Sequence, residues 1–104
     1  MRLLRLLTEA KESFEQFATK RLAGAEKIAS TTQEAGGLSL LTYKHYKVKL
    51  PYYKKAVAGK LDKEAAKKEF EQTYKKISLD MTQNEFQIEM GRLEVLGELL
   101  IREE

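Results

Sequence analysis

Apolar residues recur at three- and four-residue intervals along most of this chain, and strand-like alternation rarely persists beyond a few positions. A chain patterned this way buries one stripe of each helix, so the expected fold class is all-α. At 104 residues it is long enough for a single domain, 1–104, with a core of its own. Hydrophobic residues at 42% and charged residues at 34% fit a globular protein clad in surface helix rather than a disordered chain.

Breaks in the periodicity divide the chain into four helices. The first is expected from about residue 3 or 10 to about residue 34, with Phe14, Phe17, Ala18, Ala25 and Ile28 on its buried face. Gly36 and Gly37 end it. Ser39 is placed to cap the second helix through its hydroxyl. Proline lacks a backbone donor and disfavours helical geometry at the residue before it, so this helix is expected to be kinked or broken at Pro51, with Leu50 at the break. It restarts with proline in its first turn and stops at Gly59. Asp62 caps a third helix, in which Ala66, Phe70, Tyr74 and Ile77 share a face. "TQNE", Thr82 to Glu85, has the pattern of a capping box. The fourth helix follows it, with Phe86, Met90, Leu93, Leu96 and Leu100 as its inner face, widened by Val95 and Leu99. Short connections between four helices make a small antiparallel helical bundle.

Catalytic and metal-binding signatures are missing from the sequence. There is no cysteine, and His45 is the lone histidine, which removes the ligands of triads, cysteine–histidine dyads and paired-histidine metal sites. "AGG" at 35–37 lacks the lysine and hydroxyl of a phosphate-cradling loop. The carboxylate pairs Glu69 with Glu71 and Glu94 with Glu98 read as solvated helix faces. The expectation is a non-enzymatic protein with no cofactor and no metal. The longest uncharged apolar-leaning run, "AGGLSLLTY", falls far short of the roughly 20 residues of a membrane helix, so no membrane span is expected. "MRLLRLL" is interrupted by Arg5 and followed by Glu9, unlike a secretory signal, so synthesis and residence inside the cell are expected.

Charge is distributed unevenly. Residues 1–34 carry six basic and five acidic groups, residues 35–61 six and none, and residues 62–104 seven and eleven. The formal net charge of +3 therefore conceals a polarised chain, whose field can steer an anionic partner or a second copy of itself. In the acid-free stretch, helical spacing puts Tyr43, Tyr46, Leu50, Tyr53 and Val57 on one stripe, with the hydroxyls of buried tyrosines at its edge. Lys44, Lys47, Lys54 and Lys55 flank it. These lysines, with Lys49 and with Tyr52 for stacking, are the candidate contacts to nucleic acid or to an acidic protein partner; the other reading of the same residues is a solvated lysine flank around a tyrosine-lined core. No arginine occurs in the stretch, so any nucleic-acid binding is expected to be nonspecific.

The opening "MRLLRLLTEA" resembles the capsid-targeting sequence of internal head proteins of T-even-type bacteriophages. In that family a short leader directs a small protein into the prohead, and the prohead protease cuts after Leu-x-Glu or Ile-x-Glu when alanine or glycine follows. Leu7, Thr8 and Glu9 precede Ala10 here, which implies a removable leader over residues 1–9. The family's aromatic and glutamine residues before the triplet are replaced by leucine and arginine. "GGLSLLTYKHYKVKLPYYKKAVAGKLD" and "GRLEVLGELLI" resemble stretches of uncharacterised small proteins of T-even-like phages of marine cyanobacteria, a family that brings no known activity. The resemblance implies a phage accessory protein in the host cytoplasm and, once packaged, in the virion. It would act by binding protein or nucleic acid, or as a structural or assembly component that self-associates or docks on an acidic partner.

Overall fold

The computed structural model describes residues 13–103, and all of its regular structure is helical. The proposed processing residues Leu7, Glu9 and Ala10 lie outside this range. Helix α1 spans Phe14–Ala35. It opens with a reciprocal capping box that sequence reading missed: Ser13 Oγ accepts from the Gln16 amide at 3.1 Å, and Gln16 Oε1 accepts from the Ser13 amide at 3.0 Å. Gly36 and Gly37, at φ 64° and 57°, end the helix in a backbone region that side chains disfavour.

Helices α2, Ser39–Lys47, and α3, Leu50–Val57, are the two halves of one bent helix. Ser39 lies inside its first turn and makes no capping bond. The glycine turn folds so tightly that the amides of Ser39, Leu40 and Leu41 bond back to the carbonyls of Gly36, Gly37 and Leu38 instead. The bend falls at residues 48 and 49, directly before the expected Leu50, and Pro51 occupies the first turn of α3. The reason is local: proline withholds an amide from the Lys47 carbonyl, and its ring crowds that carbonyl. The turn upstream tightens, and the Lys49 amide bonds to Tyr46 at 3.1 Å.

Helix α4, Lys63–Lys76, is capped by the Asp62 carboxylate, which accepts from the amides of Glu64 and Ala65. Helix α5, Gln83–Glu103, starts where Thr82 Oγ1 accepts from the Glu85 amide at 3.2 Å. Helix α1 runs antiparallel to α5, with Arg102 over the Phe17 ring and Arg21 beside Glu98. The bent helix runs parallel to α5, with Lys49 at Glu94 and Tyr53 at Glu98, and so antiparallel to α1. The partnered residues of α4 and α5 likewise run in opposite order, Glu69 to Arg92 and Lys76 to Glu89. The bent helix thus lies between α1 and α5, and α4 packs chiefly on α5 while its Glu69 reaches Tyr52 of α3.

Phe17, Ala18 and Ala25 from α1, Tyr53 and Ala56 from α3, and Val95 and Leu99 from α5 form the shared core. Burying each of the larger aliphatic side chains stabilises the fold by about 1.5–3 kcal/mol. Small residues let the helices approach. A Cβ at Gly91 would fall 2.6 Å from Val48 Cγ1 and closer still to the His45 carbonyl oxygen, so α5 meets α2 backbone to backbone there. One expected face is rotated: Thr73 is buried on α4 while Tyr74 is 68% exposed. On α5 the expected Val95, Leu96 and Leu99 are the most buried, and of the expected inner face Phe86 alone is exposed.

Candidate nucleic-acid or partner interface

The bent helix has neighbours on two sides, and this decides which of its residues face out. At 100° per residue, Lys44, Lys47, Lys54 and Lys55 fall within an arc of about 100°. Pro51 and Ala58 share that arc and are exposed, as are Lys47, Lys54 and Lys55, while Lys44 is half-buried. Among the described residues no carboxylate lies within ion-pair distance of these four lysines or of Lys60. The Lys47 ammonium sits 5.4 Å from the centroid of the Tyr43 ring. The stripe is thus cationic and without internal counter-charge.

Lys49 does not belong to it. It is 5% exposed and turns into the bundle, where Nζ lies 3.0 Å from Glu94 Oε1 and 4.7 Å from the Tyr46 ring centroid. Its register explains this: His45, Lys49 and Tyr53 are spaced by four, on the side that meets α5. His45 Nε2 lies 2.9 Å from Glu94 Oε2, and the Tyr53 hydroxyl donates to Glu98 Oε1 at 2.8 Å. Arg21 of α1 reaches the same Glu98 oxygen at 3.6 Å. Burial works to raise the Glu94 carboxyl, but the hydrogen bond and charge of Lys49, with His45 beside it, hold it below the usual carboxylate range.

Tyr52 is also turned away from the stripe. It is half-buried against the core, and its hydroxyl donates to Glu69 of α4. Burial, reinforced by the Glu69 carboxylate, pushes its pKa up to about 12. Burial and then Glu98 raise that of Tyr53 further. Tyr52 and Tyr53 therefore serve as polar-tipped core rather than as open stacking platforms.

The glutamates expected on solvated faces turn out to be the other half of this arrangement. Glu94 and Glu98 meet the bent helix, Glu69 accepts from Tyr52, and Glu89 accepts from Arg92 at 2.7 Å. Part of the acid excess of residues 62–104 is thus engaged by partners within the chain, whereas Lys47, Lys54 and Lys55 face outward. A legible signal existed in the two matching rows, 45/49/53 and 94/98, each at four-residue spacing. Among the described residues, no three metal-ligating side chains converge, and no helix is long and apolar enough to cross a membrane. Comparison of the chain with protein-family models, with curated proteins and with solved structures finds no match.

Proposed function

We propose that this chain is a non-enzymatic phage accessory protein, packaged in the head, that binds nucleic acid nonspecifically through the lysine stripe of the bent helix. The observation that carries the binding reading is that Lys44, Lys47, Lys54 and Lys55 share one face with no internal carboxylate partner among the described residues. Lysines arrayed this way neutralise phosphates and release counterions, which supplies affinity without sequence preference. The phage assignment is supported by sequence resemblance alone, in the Leu7–Thr8–Glu9–Ala10 pattern and in the stretches at 36–62 and 91–101.

The test is retention of the protein on DNA at low salt, comparing wild type with the quadruple variant K44E/K47E/K54E/K55E. Retention by wild type and its loss in the variant are expected. Absence of retention by wild type overturns the reading in favour of a structural or assembly component, in which the same stripe docks on an acidic protein surface. Self-docking on the chain's own acidic helix is the less favoured form of that alternative, because Glu89, Glu94 and Glu98 of α5 already have internal partners.

A further inference from the structure

We propose that the lysine stripe takes the backbone of double-helical nucleic acid in preference to a single strand; this rests on the nucleic-acid reading above and specifies its ligand. Proteins that hold single strands combine a cationic track with exposed aromatic rings on which successive bases stack. The aromatic residues of this stretch are otherwise engaged. Tyr53 is buried with its hydroxyl on Glu98, and the Tyr52 hydroxyl is held by Glu69. Tyr46 packs against the core beneath Lys49, and Lys47 sits over the half-buried Tyr43 ring. The most exposed aromatic ring, Tyr74, stands on α4 and not on the stripe.

What remains on the stripe suits a ligand whose phosphates are fixed in space. From Lys44 to Lys55 the bent helix covers a contour of about 16 Å at 1.5 Å per residue, the upper bound on the separation of its ends. That exceeds the roughly 12 Å width of a duplex major groove, so lysines at the two ends can reach phosphates on opposite groove walls. A flexible single strand offers no such pair of walls and must be ordered to follow the lysines. Residues 39–60 also contain no arginine, asparagine or glutamine, so lysine is the one long base-reading side chain the stripe offers, and its flexible point charge suits phosphates better than base edges. Backbone geometry is what is left for it to recognise.

Fluorescence anisotropy with a labelled, short, mixed-sequence DNA duplex, and with either of its strands alone, tests this over a salt series. The duplex is expected to bind at least about tenfold more tightly than either strand at the same salt, with a log–log slope of roughly −3 to −4 for four neutralised phosphates. Y43L is expected to leave duplex affinity within about twofold, since no base stacks there. Single strands bound as tightly as the duplex, or a large loss in Y43L, would overturn the duplex preference while leaving nucleic-acid binding intact. Binding of neither form at low salt overturns both. Full duplex affinity in K44E/K47E/K54E/K55E overturns the stripe as the site. Should that variant fail to show a wild-type helical spectrum, the single reversals K54E and K55E serve instead, each expected to flatten the salt slope by about one.

Discussion

Lys49 Nζ and Glu94 Oε1 lie 3.0 Å apart, with the lysine side chain 6% exposed and the carboxylate 55% exposed. The pair is lopsided: the cation is inside the bundle and its counter-ion stands at the rim. Removing the carboxylate leaves a buried, uncompensated ammonium, whereas removing the ammonium leaves a carboxylate that water can reach. Glu94→Gln is therefore expected to cost about 1–3 kcal/mol, the lower end reflecting solvent screening at the rim. Lys49→Met, which fills the same channel without charge, is expected to cost less than Glu94→Gln. Urea denaturation of the two variants checks the order.

The Glu94 pair also sets a dependence on acid. Its folded pKa is depressed, so the unfolded chain binds more protons near the ordinary value. The stabilisation is present above the usual carboxylate range, about pH 4, and is lost as pH falls through the lower folded value. Stability measured from neutral pH downward should fall less steeply in Glu94→Gln than in wild type.

Tyr52 and Tyr53 act at the other end of the scale. Their folded pKa values are raised, to about 12 for Tyr52, so folding holds protons that the unfolded chain releases near pH 10. Their contribution is fully present below about pH 10 and is lost as pH rises from there through about 12. Alkaline unfolding followed by circular dichroism should shift to higher pH in Tyr52→Phe relative to its own stability at neutral pH. Tyr53→Phe should behave likewise, after an initial loss of about 1 kcal/mol for the hydrogen bond to Glu98.

Gly91 and Gly24 are both helical glycines and should respond oppositely to alanine. A methyl group at Gly91 meets the His45 carbonyl and Val48, whereas one at Gly24 meets nothing within 4 Å. Gly91→Ala must push α5 from α2 and is expected to cost about 1–3 kcal/mol despite the better helix propensity of alanine. Gly24→Ala is expected to stabilise by about 0.5–1 kcal/mol. Thermal melts of the two variants decide the matter.

The outward lysines and the inward one should separate by stability as well as by binding. Reversal of Lys54 or Lys55 to glutamate should change stability by no more than about 0.5 kcal/mol, because each is exposed and without an internal partner. Lys49→Glu sets a carboxylate against Glu94 in a buried position and should unfold the domain or nearly so. If the stripe docks on an acidic protein rather than on nucleic acid, the exposed reversals should slow association far more than they hasten dissociation.

For the proposed leader, protein recovered from phage particles should begin at Ala10. Loss of residues 1–9 removes Arg2, Arg5 and Glu9, which lowers the formal charge of +3 by one and leaves the lysine stripe untouched. N-terminal sequencing or intact mass checks it, and an intact Met1 on such protein counts against the leader.

What the sequence alone determined was local. Helix ends were legible at Gly36, Asp62 and Thr82 because a cap or a terminating glycine acts on amides and carbonyls within a few residues of itself. The all-α class was legible because a repeat of apolar residues is a property of each helix taken singly. The break was legible as well, because the effect of Pro51 falls on the turn before it. The facing of each helix was decided elsewhere. Lys49 and Lys54 are both lysines on a cationic helix, and nothing near either in sequence says that one meets Glu94 and the other water. Thr73 is buried and Tyr74 is out for the same reason. A stripe has a direction only when a neighbour arrives, and here α5 did, close enough at Gly91 that the row His45, Lys49 and Tyr53 had to find its partners in Glu94 and Glu98.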